Sequence, residues 1–115
     1  MPVRVCECSF CKKHNATYTS HGEAGLTVAI AEPSRVSKYL FGTNTAEFHV
    51  CGRCGVMPFA TSRIDGELYA VVNVNTFEDA DTFTFTREVR DYEAESLEDR
   101  LARRKRVWIP AVSVK

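Results

Sequence analysis

Cys6, Cys8 and Cys11 form a C-x-C-x-x-C cluster, and Cys51 and Cys54 form a C-x-x-C after a long insert. Two short thiol clusters of this kind are the pattern of a zinc protein, because Zn²⁺ takes about four thiolate or imidazole ligands that two chain knuckles can supply. Five thiols exceed one closed four-ligand site by one and fall well short of two. A disulfide framework is the competing reading. Those frameworks occur mainly in secreted chains, and the opening Met1-Pro2-Val3-Arg4-Val5 shows no apolar signal-peptide core. In Cys51-Gly52-Arg53-Cys54-Gly55 the glycines allow the tight turn and positive φ that aim backbone amides at sulfur, the geometry of a metal knuckle.

The expected organisation is one domain over residues 1–115. A chain of 115 residues buries roughly two thirds of its unfolded surface, which is enough for one core that a metal reinforces rather than replaces. Fifteen basic residues balance fifteen acidic ones, so no net field draws in nucleic acid or an anionic membrane. No apolar run approaches the roughly 20 residues of a membrane span. A reducing cytoplasm is the expected compartment for thiolates at a metal.

Most of the chain alternates with period two, so the expected fold is mainly β: a compact zinc-binding β-sheet domain with one short C-terminal helix. Strands are expected at Leu26–Ile30, Val36–Phe41, Ala46–Val50, Val56–Thr61, Leu68–Val74 and Phe83–Thr86, with turns at Gly42-Thr43-Asn44 and Asp65-Gly66. Pro58 suggests an edge or an irregular strand start. Ser96 reads as a helix N-cap followed by acidic first-turn residues. Arg103-Arg104-Lys105-Arg106 reads as cations at the helix C-terminus rather than a nucleic-acid patch. Leu97 and Leu101 are the expected anchors of that helix, and Trp108 and Ile109 dock the tail. Glu93, Glu95, Glu98 and Asp99 read as the start of a surface helix, and Tyr39, Phe41, Phe48 and Phe59 as core.

The segment Cys6-Glu7-Cys8-Ser9-Phe10-Cys11-Lys12-Lys13 resembles the C-x-C-S-x-C-[RK]-K motif of the glutathione-dependent formaldehyde-activating enzyme (GFA) family, whose vertebrate relatives include centromere protein V. Phe48 to Val56 is similar to that family's F-x-x-C-x-x-C-G segment, and a strand ending in Val74-Asn75-Thr76-Phe77-Glu78-Asp79 follows in register. The likeness covers roughly residues 3 to 80. It implies a compact β fold of the GFA type with two unlike zinc sites. One is an open three-thiolate site at Cys6, Cys8 and Cys11; the other is a structural site that Cys51 and Cys54 share with an N-terminal C-x-C hairpin. Only five residues precede Cys6 in this sequence, and that hairpin is not among them.

Without the hairpin, Cys51 and Cys54 are expected to recruit partners from the first cluster. The simplest closed set is Cys8, Cys11, Cys51 and Cys54; a set with Cys6 and Cys8 is the alternative, and His14 or His49 could substitute as ligands. The resemblance implies carbon-sulfur lyase-type chemistry on adducts of formaldehyde with glutathione or a related small thiol, with Ser9, Lys12 and Lys13 as candidate substrate contacts. The opposing expectation is a non-enzymatic zinc module whose cysteines only hold the fold. A sheet edge left bare by the absent strand would favour a homodimer.

Overall fold

A computed structural model describes residues 2–40, 43–90, 92 and 94–115, with the side chains of Ser9 and Ala80 also outside the description. The expectations at Phe41, Gly42 and Glu93 lie outside the described residues. The architecture is mainly β with one longer helix. In chain order the elements are β1 (Pro2–Cys6), α1 (Ser9–Lys13), β2 (Thr17–Thr19), β3 (Gly25–Val28), β4 (Val36–Tyr39), β5 (Glu47–Cys51), β6 (Phe59–Ile64), β7 (Glu67–Asn73), β8 (Thr86–Arg90), α2 (Leu97–Val107) and β9 (Ala111–Val114). Seven strands form one sheet in the order β4-β5-β6-β7-β2-β1-β8, and β3 pairs with β9 in a small second sheet.

The centre of the large sheet follows from the sequence pattern. Asp65 and Gly66 both take left-handed backbone (φ 53° and 82°), the condition for the tight turn that joins two twisted strands. The β6–β7 hairpin it closes pairs from Ile64↔Glu67 to Phe59↔Val72. β6 starts at Phe59, directly after Pro58, which has no N–H to give the ladder but accepts from the Asn73 amide at 2.7 Å. β7 then pairs with β2 on its other side, and the chain after α2 takes over where β2 stops. There Ala70 donates to the Ile109 carbonyl at 3.0 Å and Ile109 donates back at 2.8 Å. The strand expected at Phe83–Thr86 forms later, as β8, and joins β1 in parallel.

Buried Asn73 ties this centre together. Its Oδ1 accepts from the backbone N–H of Thr17 at 3.3 Å and of Asn75 at 3.2 Å, and its Nδ2 donates to the Met57 carbonyl at 3.0 Å. Asn75 in turn donates to the Asn15 carbonyl at 2.7 Å, which pins the turn after α1. An amide side chain that satisfies three separate backbone groups costs little to bury and specifies how those segments meet.

The core groups Ala16, Tyr18, Ala46, Met57, Ala60, Val71 and Trp108 around Cys11. Two expectations about packing change. Leu97 is 46% exposed, whereas Arg104, one face-repeat further along α2 beyond Leu101, is 7% exposed, so α2 lays a guanidinium and not its first leucine on the sheet. Tyr39 is exposed as well, although its ring stacks on Phe10 at 5.0 Å between centroids; Phe48 is half-buried and Phe59 buried. Among the described residues, no helix is long and apolar enough to cross a membrane.

Candidate metal centre

Cys6 ends β1, Cys8 caps α1, and Cys11 lies within α1. The two residues between strand and helix, Glu7 and Cys8, therefore reverse the chain tightly enough to bring the thiols together. Their sulfurs all lie within 4.8 Å of one another. A tetrahedral zinc with Zn–S of ~2.3 Å sets its sulfurs roughly 3.8 Å apart, so the three thiols fit such an ion. All five cysteines of the chain are free.

The cluster is also prepared electrostatically. Hydrogen bonds from the Cys11 and Cys6 thiols, with backbone N–H groups of Cys11 and Phe10 behind them, hold the Cys8 thiol far below the ordinary range, at about 2. The Cys11 amide lies 3.5 Å from the Cys8 sulfur. Cys11 is pushed the other way by its bonds to Cys6 and Cys8 and by burial. At Cys6 the bond with Cys11 lowers proton affinity, but the bond to Cys8 and desolvation outweigh it and the thiol is raised. One thiolate, Cys8, is thus solvated by two thiols, and a thiophilic cation would replace their protons. Tyr18 closes the arrangement from β2. Its hydroxyl shares a 2.9 Å hydrogen bond with the Cys11 sulfur, and burial raises the phenol.

Cys51 and Cys54 do not join this group; among the described residues Cys6, Cys8 and Cys11 are the set of three or more ligand-type side chains that converges. The closed set of Cys8, Cys11, Cys51 and Cys54 is therefore not formed. Strand alternation explains part of this: Phe48 faces the cavity described below, and Cys51, an odd number of residues along β5, points to the other face. The second pair instead forms its own knuckle. The Cys54 and Arg53 amides and the Cys54 thiol lower the Cys51 thiol, Gly55 takes φ 79°, and Gly55 donates to the Cys51 carbonyl at 2.8 Å. A Cβ on Gly52 would sit 2.9 Å from the Arg35 carbonyl oxygen, so only glycine fits there.

Neither histidine joins a metal set. His14 is exposed, stacked on Phe10 at 4.2 Å, with Nδ1 bonded to the Phe10 carbonyl. Buried His49 bonds Thr61 at 2.9 Å through Nε2 and stacks on Phe59. Lys12 and Lys13 are exposed at the end of α1 and do not line the cavity, and the side chain of Ser9 lies outside the described set.

A cavity of about 400 Å³ opens beside the three sulfurs. Its floor is the sheet face carrying Arg4, Tyr18, Phe48, Ala60 and Val71; α2 contributes Arg104, and its C-cap contributes Trp108. Arg104 Nη1 donates to the hydroxyls of Thr45 at 2.9 Å and Ser62 at 3.2 Å. Burial, then the charges of Arg103 and Arg100, lowers this guanidinium to about 10. The basic run is expected as helix-end cations, and the signal for the burial of Arg104 is spacing: Leu101, Arg104 and Trp108 recur at helical intervals on one face. Tyr18 carried no signal, because its role depends on β2 lying between β1 and β7.

No protein-family model matches this chain, and no curated protein matches it. A solved structure does: the crystal structure of a Rhodobacter sphaeroides protein, a Northeast Structural Genomics target, aligns with TM-score 0.51 and 26% identity, over 75% of this chain and 80% of that one. The likeness bears on the fold.

Proposed function

We propose that this chain binds Zn²⁺ at Cys6, Cys8 and Cys11 and acts there on the carbon-sulfur bond of a thiol adduct, joining glutathione to formaldehyde or cleaving a related product. The observation that carries this reading is the convergence of three sulfurs within 4.8 Å beside a cavity of small-ligand size. A three-ligand thiolate site supplies, when zinc is bound, a Lewis acid with a place for a substrate sulfur or carbonyl oxygen. In the reaction the thiol sulfur bonds to the formaldehyde carbon, the carbonyl π bond opens, and the thiol proton ends on the new hydroxyl.

The chain's own part is positional. Tyr18 fixes the Cys11 sulfur through their hydrogen bond. The apolar surfaces of Phe48, Val71 and Trp108 shield the reacting groups from water.

The test is the rate of S-hydroxymethylglutathione formation from ¹³C-formaldehyde and glutathione, followed by NMR with the zinc-loaded protein. The expected result is a rate above the uncatalysed one that is lost in Cys8→Ser. Zinc bound at the three thiols without any rate increase would leave a metal-binding module and sink the enzyme reading.

A further inference from the structure

The cavity beside the cysteines is markedly cationic for a half-buried apolar space. Among the described residues, Arg4, Arg100, Arg103 and Arg104 line it against the single carboxylate of Glu95. Glu95 is already engaged: both its oxygens accept from Arg103 at 3.0 Å, and Arg100 lies 3.6 Å away. Arg103 also stacks over the Tyr92 ring at 3.7 Å. Those two arginines are structural. Arg4 and Arg104 have no carboxylate within ion-pair distance among the described residues.

Arg104 carries the inference. It is 93% buried, since only 7% of its surface is exposed. Its Nη1 is held by two neutral hydroxyls, and its Nε has no acceptor among the described residues. Leaving a guanidinium desolvated against neutral partners is costly, and a hydrophobic residue of similar volume would usually be the more stable choice. The hydroxyls of Thr45 and Ser62 do not neutralise the charge; they fix the plane of the fork. Nor does a loaded metal centre account for the excess, because a divalent ion on three thiolates carries one net negative charge, whereas the described lining residues include four guanidiniums and one carboxylate.

We infer that Arg104, with Arg4 on the floor of the same cavity, is a carboxylate receptor for a small acid whose other end lies at Cys6, Cys8 and Cys11. Arg104 lines the cavity, and a guanidinium is the side chain that takes up a carboxylate in bidentate fashion. Trp108, 5.0 Å from the Arg104 carbon centre, backs the fork with an aromatic face. The subsite selects among thiols by their anionic end: an ω-mercaptocarboxylate fits both ends of the cavity, whereas a neutral thiol reaches only the sulfurs. In this two-ended form the inference rests on the thiol-binding reading above.

The experiment separates the two ends. Glutarate, which has no sulfur, is titrated into the purified full chain by calorimetry beside glutaramide, its neutral counterpart, and inorganic phosphate. Glutarate is expected to bind at least about tenfold more tightly than glutaramide. Arg104→Gln should remove the difference, and Arg4→Gln, whose side chain is only half-buried, should reduce it with an unchanged thermal midpoint. Equal binding of acid and amide, tighter binding of phosphate, or a difference that survives both substitutions overturns the carboxylate receptor. A series of ω-mercaptocarboxylates of increasing length, set against the corresponding mercaptoalcohols, then reads the coupling. Equal affinities across the series overturn the two-ended ligand even where mercaptoalcohols bind. If no thiol binds while the glutarate preference stands, the receptor holds and the thiol reading fails.

Discussion

Tyr18 and Cys11 share a buried 2.9 Å hydrogen bond that links the middle of the large sheet to the short helix carrying the thiols. The bond couples the two halves of the site: β2 positions the phenol, and the phenol positions one sulfur of the cluster. Groups one bond removed from a metal ligand typically govern affinity by 10–100-fold. Tyr18→Phe keeps the ring in the core and loses only the hydroxyl. The expected outcome is a loss of about tenfold in zinc affinity, measured by competition with a chromophoric chelator, at a nearly unchanged melting temperature. An unaltered affinity would show that the phenol is a packing residue alone.

The separation of the two thiol clusters makes a spectroscopic prediction. Cobalt-loaded protein should show thiolate-to-metal charge transfer that disappears in Cys6→Ser, Cys8→Ser or Cys11→Ser. Cys54→Ser should leave that signal in place, because Cys54 lies outside the converging group. Loss of the signal in Cys54→Ser would instead restore a single shared four-cysteine site.

Asn73→Ala should destabilise the fold by about 3 kcal/mol. It strands the amides of Thr17 and Asn75 and the Met57 carbonyl, and a buried backbone group without a partner costs roughly 1–3 kcal/mol. Urea unfolding gives the value directly. A change below about 0.5 kcal/mol, the range of an ordinary surface substitution, would mean that water replaces the amide without loss.

Truncation at the start of α2 and at its C-cap should differ sharply in cost. Leu97→Ala removes an exposed side chain and should stay within about 0.5 kcal/mol of the parent. Trp108→Ala empties part of the core cluster and should cost about 3–5 kcal/mol. Comparable effects at both positions would contradict the orientation of the helix.

Much of the fold is legible in the order of residues because the responsible forces are local. The apolar run from Leu68 to Val72, left-handed turn chemistry at Asp65-Gly66 and the Ser96 cap, which accepts from the Asp99 amide at 3.1 Å, each act over a few residues. Shorter elements escaped this reading. β1, β2 and β9 span only three to five residues, and each is stabilised by its partner rather than by its own pattern.

The site divides along the same line. Spacing alone singled out the five cysteines as ligand candidates and shaped both knuckles, since a C-x-x-C turn aims its own amides at its first sulfur. Which cysteines converge was decided by tertiary structure. Strand order places β5 four positions from β1, and alternation turns Cys51 away from the cavity, so sequence spacing says nothing about that distance. Arg104 shows the same division. Its charge and helical position are written in the chain, but its burial over Ser62 and Thr45 exists only once α2 has packed on the sheet, where desolvation gives an ordinary surface cation its unmatched charge.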